Sequence, residues 1–291
     1  MKSAPFEYHA PSSLSDVVSL LGELGDEAKP LAGGQSLIPL LAMRLTRFEH
    51  LIDVTGVAEL QGIERVNGHV RVGAAVRQST AEHDATVAAA VPLLARALPH
   101  IGHFQIRNRG TVGGSTAHAD PSSELPAVAL ALDAELEVAG PSGARVVGAE
   151  HFFQGTWMTA LEPDEVLVAI RYPIWSRAGY GFRELARRHG DFAIAGVACA
   201  VSLGNNGNVE RAAISMFGMG STPLRGRAAE EALVGEHPGK VDVDSIAEAA
   251  VAEMEPTDDI HAPAWYRKRA GARLVTLALT EALEEAGRVD A

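Results

Sequence analysis

The sequence predicts an α+β protein of two units, and three observations carry that prediction. Near the start, a short strand, a glycine turn, a helix and a second strand follow in the order of a βαβ unit. Past residue 175, three strands come in succession and are followed by three helical segments, the order of a separate α+β unit. The composition shifts near Trp175, which places the boundary there. A length of 291 residues suits two domains, and 47% hydrophobic residues suffice for a proper core.

The elements follow from local pattern. Ser13 to Leu24 reads as a helix, with Ser13 as N-cap, Asp16 three residues on, and Leu14, Val17, Val18, Leu21 and Leu24 on one face; Gly25 closes it. Pro30 to Ala32 is a short apolar run ending at Gly33-Gly34. Ser36 is the expected cap of a second helix, whose first turn tolerates Pro39. Leu51 to Val54 is the next strand. Gly62 to Gly73 reads as a hairpin about Asn67-Gly68, a type I′ signal. Residues 79 to 100 read as helical with an interruption at Pro92. Ile101 to Pro126 reads as a long functional loop, rich in glycine and small polar residues.

Further strands are expected at Ala134 to Val138 and Arg145 to Gly148, joined by a Pro-Ser-Gly turn, and at Val166 to Tyr172. The second unit has strands at Tyr180 to Arg188, Ala193 to Leu203 and Val209 to Met216, the last two joined by Asn-Asn-Gly-Asn. Helices near 224–234, 243–254 and 263–286 close the chain. There is no internal repeat or low-complexity segment.

Composition removes several function classes. A formal net charge of -12 disfavours nucleic acid and an anionic membrane surface. The single cysteine, Cys199, permits no internal disulfide framework and cannot alone hold an iron–sulfur cluster; on its apolar strand it reads as a small buried hydrophobe. The opening MKSAPFEYHA lacks the apolar core of a secretion signal. The longest apolar stretch, near Ile194 to Leu203, is too short to span a bilayer. A cytoplasmic protein without membrane insertion is the expectation.

Two segments carry most of the chemistry: Ala32-Gly33-Gly34-Gln35-Ser36 and Thr111-Val112-Gly113-Gly114-Ser115. Each pairs adjacent glycines with hydroxyl residues. A diphosphate needs several converging N–H donors, and side chains would block that approach. A helix start adds partial positive charge, and Ser36, Thr111 and Ser115 can donate from their hydroxyls. A Gly-Gly turn alone is ordinary turn chemistry. Neither segment fits G-x-G-x-x-G or a Walker loop, so a classical NAD site or NTPase is not supported.

The pair AGGQSL and RNRGTVGGSTAHADPSSELP resembles the FAD-binding (medium) subunit of molybdenum hydroxylases, the family of aerobic carbon monoxide dehydrogenase, nicotine dehydrogenase and bacterial xanthine dehydrogenase. The order and spacing of both motifs, the whole length, and the closing DDIHAPAWYRKRAGARLV fit that family. The resemblance implies a two-sub-domain FAD-binding domain of the vanillyl-alcohol-oxidase (PCMH) type over residues 1–175, with sub-domains about 1–55 and 56–175. An α+β C-terminal domain of the carbon monoxide dehydrogenase flavoprotein type, with a three-stranded antiparallel sheet plus helices, would occupy 176–291.

It also implies the cofactor contacts. Ala32, Gly33, Gly34, Gln35 and Ser36 would hold the FAD pyrophosphate and ribityl region together with Gly110, Thr111, Val112, Gly113, Gly114 and Ser115. Leu31 would touch the cofactor, and Ile101 and Gly102 would line the flavin ring. His118 and Asp120 would approach the cofactor chain, Glu124 the adenosine ribose and Leu167 the adenine end. Arg183 falls where the family often carries lysine, which keeps the charge but not the shape. No residue is expected to act as acid, base or nucleophile. The molybdenum cofactor and [2Fe-2S] clusters would reside on a large molybdopterin-binding subunit and a small iron–sulfur subunit, assembled as a dimer of heterotrimers. A stand-alone FAD oxidoreductase, or a nucleotide-binding assembly module without turnover, are the alternatives.

Plainer roles stand beside these. His100, His103, His118 and Asp120 form only a loose metal pattern, and no metal is expected. Arg107 and Arg109 fit either a phosphate or backbone carbonyls. Ser-Ser-Glu at 122–124 fits a helix cap. Trp157, Trp175 and Trp265 read as packing residues, and Asp258 and Asp259 as a solvated turn.

Overall fold

The computed structural model describes residues 2–289. Strands β1 (Glu7–His9), β2 (Ala28–Leu31) and β3 (His50–Asp53) form an all-parallel sheet in the order β1-β3-β2, with helices α1 (Leu14–Leu24) and α2 (Leu37–Ala42) as crossovers. Parallel neighbours require such crossovers. As expected, Ser13 caps α1 by accepting from the Asp16 amide. Val17 and Leu21 point from α1 onto Ile52 and Val54. The sequence pattern missed β1: three largely exposed residues, EYH, carry no apolar run, and the strand exists because it pairs with β3.

The hairpin β4 (Ile63–Val66) and β5 (His69–Gly73) turns at Asn67 and Gly68, both with positive φ (48° and 79°), as a type I′ turn demands. The expected helix at 79–100 is instead three short ones, α3 (Gln78–Glu82), α4 (Ala85–Ala90) and α5 (Pro92–Ala97). Asp84 restarts the helix by capping Val87, and Pro92 begins the third, each local signal outweighing the continuous alanine pattern.

The stretch 101–126 is not a long loop. It holds α6 (Phe104–Arg107), α7 (Val112–His118) and the start of α8 (Glu124–Ala131). Every residue of α8 is buried, so it is apolar all round and shows no amphipathic stripe. After it come β6 (Glu135–Gly140), β7 (Gly143–Gly148), α9 (Ala149–Phe152), the small pair β8 (Phe153–Gly155) and β9 (Met158–Thr159), and β10 (Val166–Pro173). These complete a five-stranded antiparallel sheet, β4-β5-β10-β6-β7.

Strands β11 (Ala178–Leu185), β12 (Ala195–Leu203) and β13 (Val209–Phe217) form the expected antiparallel meander, with β11 ending three residues early. A two-residue fourth strand, β14 (Leu224–Arg225), takes the start of the segment read as helical; α10 (Arg227–Leu233) begins only after Gly226. Helices α11 (Val243–Ala252) and α12 (Ala264–Val289) cover one face of this sheet. Gly179 and Gly181 let α12 lie directly on β11, since an added Cβ at either would stand 2.0 Å from a helix carbonyl oxygen. The other face turns Ala198, Ala200, Ala213 and Phe217 toward α5 and α8, in one continuous core with the five-stranded sheet. Cys199 is fully buried, as expected.

Asp258 and Asp259 are exposed and lie outside helix and strand, as expected, but they also order the start of α12. Asp258 accepts from the Ala264 amide at the head of α12, and Asp259 accepts from His261, Ala262 and the buried Arg267. Arg267 in turn donates to the carbonyls of Ile194 and Gly218. Of the tryptophans, Trp175 packs, with the Arg211 guanidinium 3.8 Å over its ring, whereas Trp157 and Trp265 are exposed.

Candidate functional site

The first glycine segment leaves the C-terminal end of β2, the usual ligand-facing end of parallel strands. Gly34 takes φ +71°, and the Gln35 side-chain Nε2 donates to the Gly33 carbonyl at 3.0 Å, pinning the turn. Ser36 does not cap α2, because its backbone is already helical and its side chain bonds nothing there. Among the described residues, the amides of Gly33, Gly34, Gln35 and Ser36 donate to no protein acceptor. Gly33 is nevertheless buried. Four consecutive open donors, one of them buried, form a site that wants an anion.

The second segment is built differently. Thr111 caps α7 by accepting from Gly114 at 2.9 Å. Val112 and Gly113 donate to the carbonyls of Val76 and Ala74, and Ser115 donates to that of Thr111. The amides expected to form a second nest are therefore already satisfied. What this helix start offers a ligand is its dipole and the hydroxyls of Thr111 and Ser115. Its glycines serve close packing: a Cβ on Gly113 would lie 2.3 Å from that of Ala74.

The two segments, far apart in sequence, meet in space. A Cβ on Gly33 would lie 2.4 Å from the Arg109 carbonyl oxygen and 2.5 Å from the Gly110 Cα, and one on Gly114 would lie 3.1 Å from the Ala32 Cβ. Arg77 and Gln78, which the sequence did not point out, brace the junction. Arg77 forms a β-bridge with Thr111 and donates from its guanidinium to the Arg109 carbonyl. The buried Gln78 side chain donates to the Thr111 carbonyl at 3.4 Å.

The other expected residues divide into groups. Ile101 and Gly102 are tied to α6 and α3 by Arg107, whose guanidinium donates to both carbonyls and pairs with Glu82 at 2.7 Å. Arg107 therefore fastens backbone. Gly102 also meets Gly190 of the second unit, where an added Cβ would stand 2.8 Å away. His118 stacks on Trp157, whose indole donates to Asp120 at 3.1 Å. Burial holds His118 below its ordinary pKa, against the pull of Asp120 and with that of Lys29. Trp157 thus belongs beside the site. Leu167 is buried in β10, which packs against α7. Arg183 pairs with Glu281 of α12 at 3.0 Å, and among the described residues no hydrogen bond joins it to either glycine segment. Among the described residues, His100, His103, His118 and Asp120 do not come together as a ligand group: His100 packs on Phe182 and lies edge-on to His189.

Two buried carboxyls lie between the units. Glu124, first residue of α8, is pushed up to about 7 by burial, which outweighs a hydrogen bond from its own amide; Asp120 adds to the rise. Its neighbour Ser123 makes no side-chain cap. Glu184 on β11 is pushed up to about 8 by burial and then by Glu124. The His100 ring lies 3.9 Å away, itself held below its ordinary pKa by burial, and the Glu184 Oε2 has no hydrogen-bond partner. Glu184 is ordinarily acidic near 4.5. The unfolded chain therefore ionises above that pH while the folded chain keeps its proton until about 8. The stability contributed is full below the unfolded value and is lost as pH rises through the folded one. Glu184→Gln should then be more stable than the parent at pH 8.5 by roughly 2–4 kcal/mol, with the gap nearly closed at pH 4.5. Urea unfolding at both pH values measures it; an equal gap at both would refute the protonated state.

Residues 4–175 match the family described as the FAD binding domain in molybdopterin dehydrogenase, and residues 180–282 match the CO dehydrogenase flavoprotein C-terminal domain. The carbon monoxide dehydrogenase medium chain of Hydrogenophaga pseudoflava is 40% identical over 279 residues, covering 95% of this chain and 96% of the relative. A subunit of the 6-hydroxypseudooxynicotine dehydrogenase complex of Paenarthrobacter nicotinovorans, named alpha, is 37% identical over 287 residues, covering 98% and 97%. Among solved structures, that of the Hydrogenophaga pseudoflava carbon monoxide dehydrogenase superposes with a TM-score of 0.94 over 98% of this chain and 99% of the other, at 40% identity. The open amides at Gly33–Ser36 and the glycine-lined junction fit the diphosphate of an FAD.

Proposed function

This chain belongs to the family of FAD-binding medium subunits of molybdenum hydroxylases, and from that membership we propose that it passes electrons from the iron–sulfur clusters of a partner subunit to an external acceptor. The observation that carries the cofactor assignment is the row of open amides on the first glycine turn, closed over by the second.

Each group has a bounded task. Gly33, Gly34, Gln35 and Ser36 would donate to the diphosphate from the backbone, and Thr111 and Ser115 from their hydroxyls. Leu31, Ala32, Gly110, Val112, Gly113 and Gly114 would shape the channel by lacking bulk or presenting apolar surface. Ile101, Gly102 and Leu167 would contact the rings, and Glu124 would accept from a ribose hydroxyl. His118 and Asp120, held by Trp157, would flank the cofactor chain, and Arg183 would supply positive charge near the flavin. A bound flavin supplies a centre that accepts electrons singly and yields them in pairs. This chain's part is to hold and orient that centre and set its electrostatics. The partners in this reading are a large molybdenum-cofactor subunit and a small [2Fe-2S] subunit, in a dimer of heterotrimers. Among the described residues, no helix is long and apolar enough to cross a membrane.

The test is flavin reduction with and without partners. The purified chain, reconstituted with FAD, should keep its flavin absorbance when challenged anaerobically with aldehydes, purines and carbon monoxide. Co-expressed with its two partner subunits, the flavin should bleach on addition of the complex's substrate. Bleaching of the lone chain by an organic substrate would instead favour a self-sufficient oxidoreductase. An assembled, active complex without flavin would sink the reading altogether.

A further inference from the structure

At the end of the parallel sheet away from the glycine turns, β1 and β3 bring three ligating groups together. Glu7 stands opposite His50 in register, and His9 follows two residues on, on the same strand face. His50 marks the end of β3 that pairs with Ala28; the turn-side end pairs Asp53 with Leu31. This is therefore a different place from the cofactor site.

The donor atoms are spaced as a metal would space them. His9 Nε2 lies 3.1 Å from His50 Nδ1, and Glu7 Oε2 lies 3.5 Å from the same nitrogen. All three atoms lie within 4.8 Å of one another. A tetrahedral ion with bonds of about 2.05 Å separates its ligands by about 3.3 Å. The hydrogen-bond inventory points the same way. His50 Nδ1 carries at most one proton and can donate to His9 or to Glu7, not both. A cation satisfies all three groups at once. Two imidazoles and a carboxylate suit a borderline ion such as zinc.

We propose that Glu7, His9 and His50 form a zinc-type divalent metal site that clips the edge strand β1 to β3. β1 is only three residues long and pairs with β3 alone, so a cross-strand ion would add most where the backbone holds least. Solvent completes the coordination on the exposed Glu7 side.

The test titrates the full metal-free chain with Zn2+ by calorimetry and with Co2+ by visible absorption. One equivalent of Zn2+ should bind at micromolar or tighter Kd, and Co2+ should give the visible bands of a nitrogen- and oxygen-ligated four- or five-coordinate ion. His9→Ala should weaken Zn2+ at least tenfold, and Glu7→Gln should weaken it less. Zn2+ should raise the Tm of the parent and leave that of His9→Ala unmoved. Only weak, non-stoichiometric zinc binding, or an affinity unchanged by His9→Ala, would overturn the site. The Co2+ spectrum of the parent chain decides the matter even if a variant fails to fold: octahedral, water-like bands alone would refute it.

Discussion

Gly33→Ala is expected to empty the protein of FAD while leaving it folded. The methyl would stand 2.4 Å from the Arg109 carbonyl oxygen and 2.8 Å from its carbon, backbone atoms with no rotamer to give. The two segments would have to part by roughly 1 Å to restore ordinary contact. That displacement falls on the row of open amides. Hydrogen bonds to a charged acceptor are worth about 1.5–3 kcal/mol each, so losing two weakens FAD on the order of a hundredfold or more. Overpacking costs the fold only about 1–3 kcal/mol, which an ordinary domain survives. Gly56→Ala is the control, since a Cβ there meets nothing within 4 Å. The measurements are flavin per chain after gel filtration and FAD affinity by fluorescence quenching. Full flavin occupancy in Gly33→Ala would show that the two turns do not share one ligand.

The sequence made the two glycine turns legible because close backbone approach leaves a compositional mark. It misjudged how the second turn works. VGGSTAH is poor helix material, with two glycines, a serine and a threonine, so it read as loop. It is helical because Thr111 caps it and because Ala74 and Val76 accept from its first amides. Those contacts come from the strand end near residue 74, and no local pattern announces them. α8 is marked in the sequence only at its start, by Ser-Ser-Glu, because a helix buried on all sides has no polar face to reveal its period.

Glu184 illustrates a further limit. A glutamate on a strand ordinarily faces water; here the side chain is buried, and the charged and titratable groups that act on it, Glu124 and His100, stand 60 and 84 positions away in the chain. The resemblance supplied the cofactor and the residues around it, but it was silent on which of them are free to bind. The open amides of Gly33–Ser36 and the satisfied ones of α7 divide the two motifs into a binding turn and a supporting one. A variant series should reflect that division: side chains added at the first turn act on the ligand directly, those at Gly113 on the packing beneath it.

Arg225→Met is expected to destabilise the second unit strongly. The Arg225 side chain is only 6% exposed and its partner Glu230 only 7%. Its guanidinium spans both units, reaching Glu230 and also the Leu130 carbonyl at 3.0 Å and Asp133 at 2.8 Å, at the end of α8. Methionine fills the volume but leaves the buried Glu230 with only the Ile214 amide and the more distant Arg227 guanidinium, at 3.6 Å. Removing one member of a buried pair costs about 3–5 kcal/mol, which at this chain length lowers Tm by roughly 10 °C. Arg225→Lys should recover only part of that, because a lysine cannot span the same fork of acceptors. Arg225→Met combined with Glu230→Gln should recover more, because the unpaired charge is gone. Thermal unfolding of the four chains orders them parent, double variant, Lys, Met. If Arg225→Met melted within 2 °C of the parent, the pair would contribute little, and the second unit would be held on α8 by the apolar contacts of Phe217 and its neighbours together with the Arg211–Asp133 ion pair.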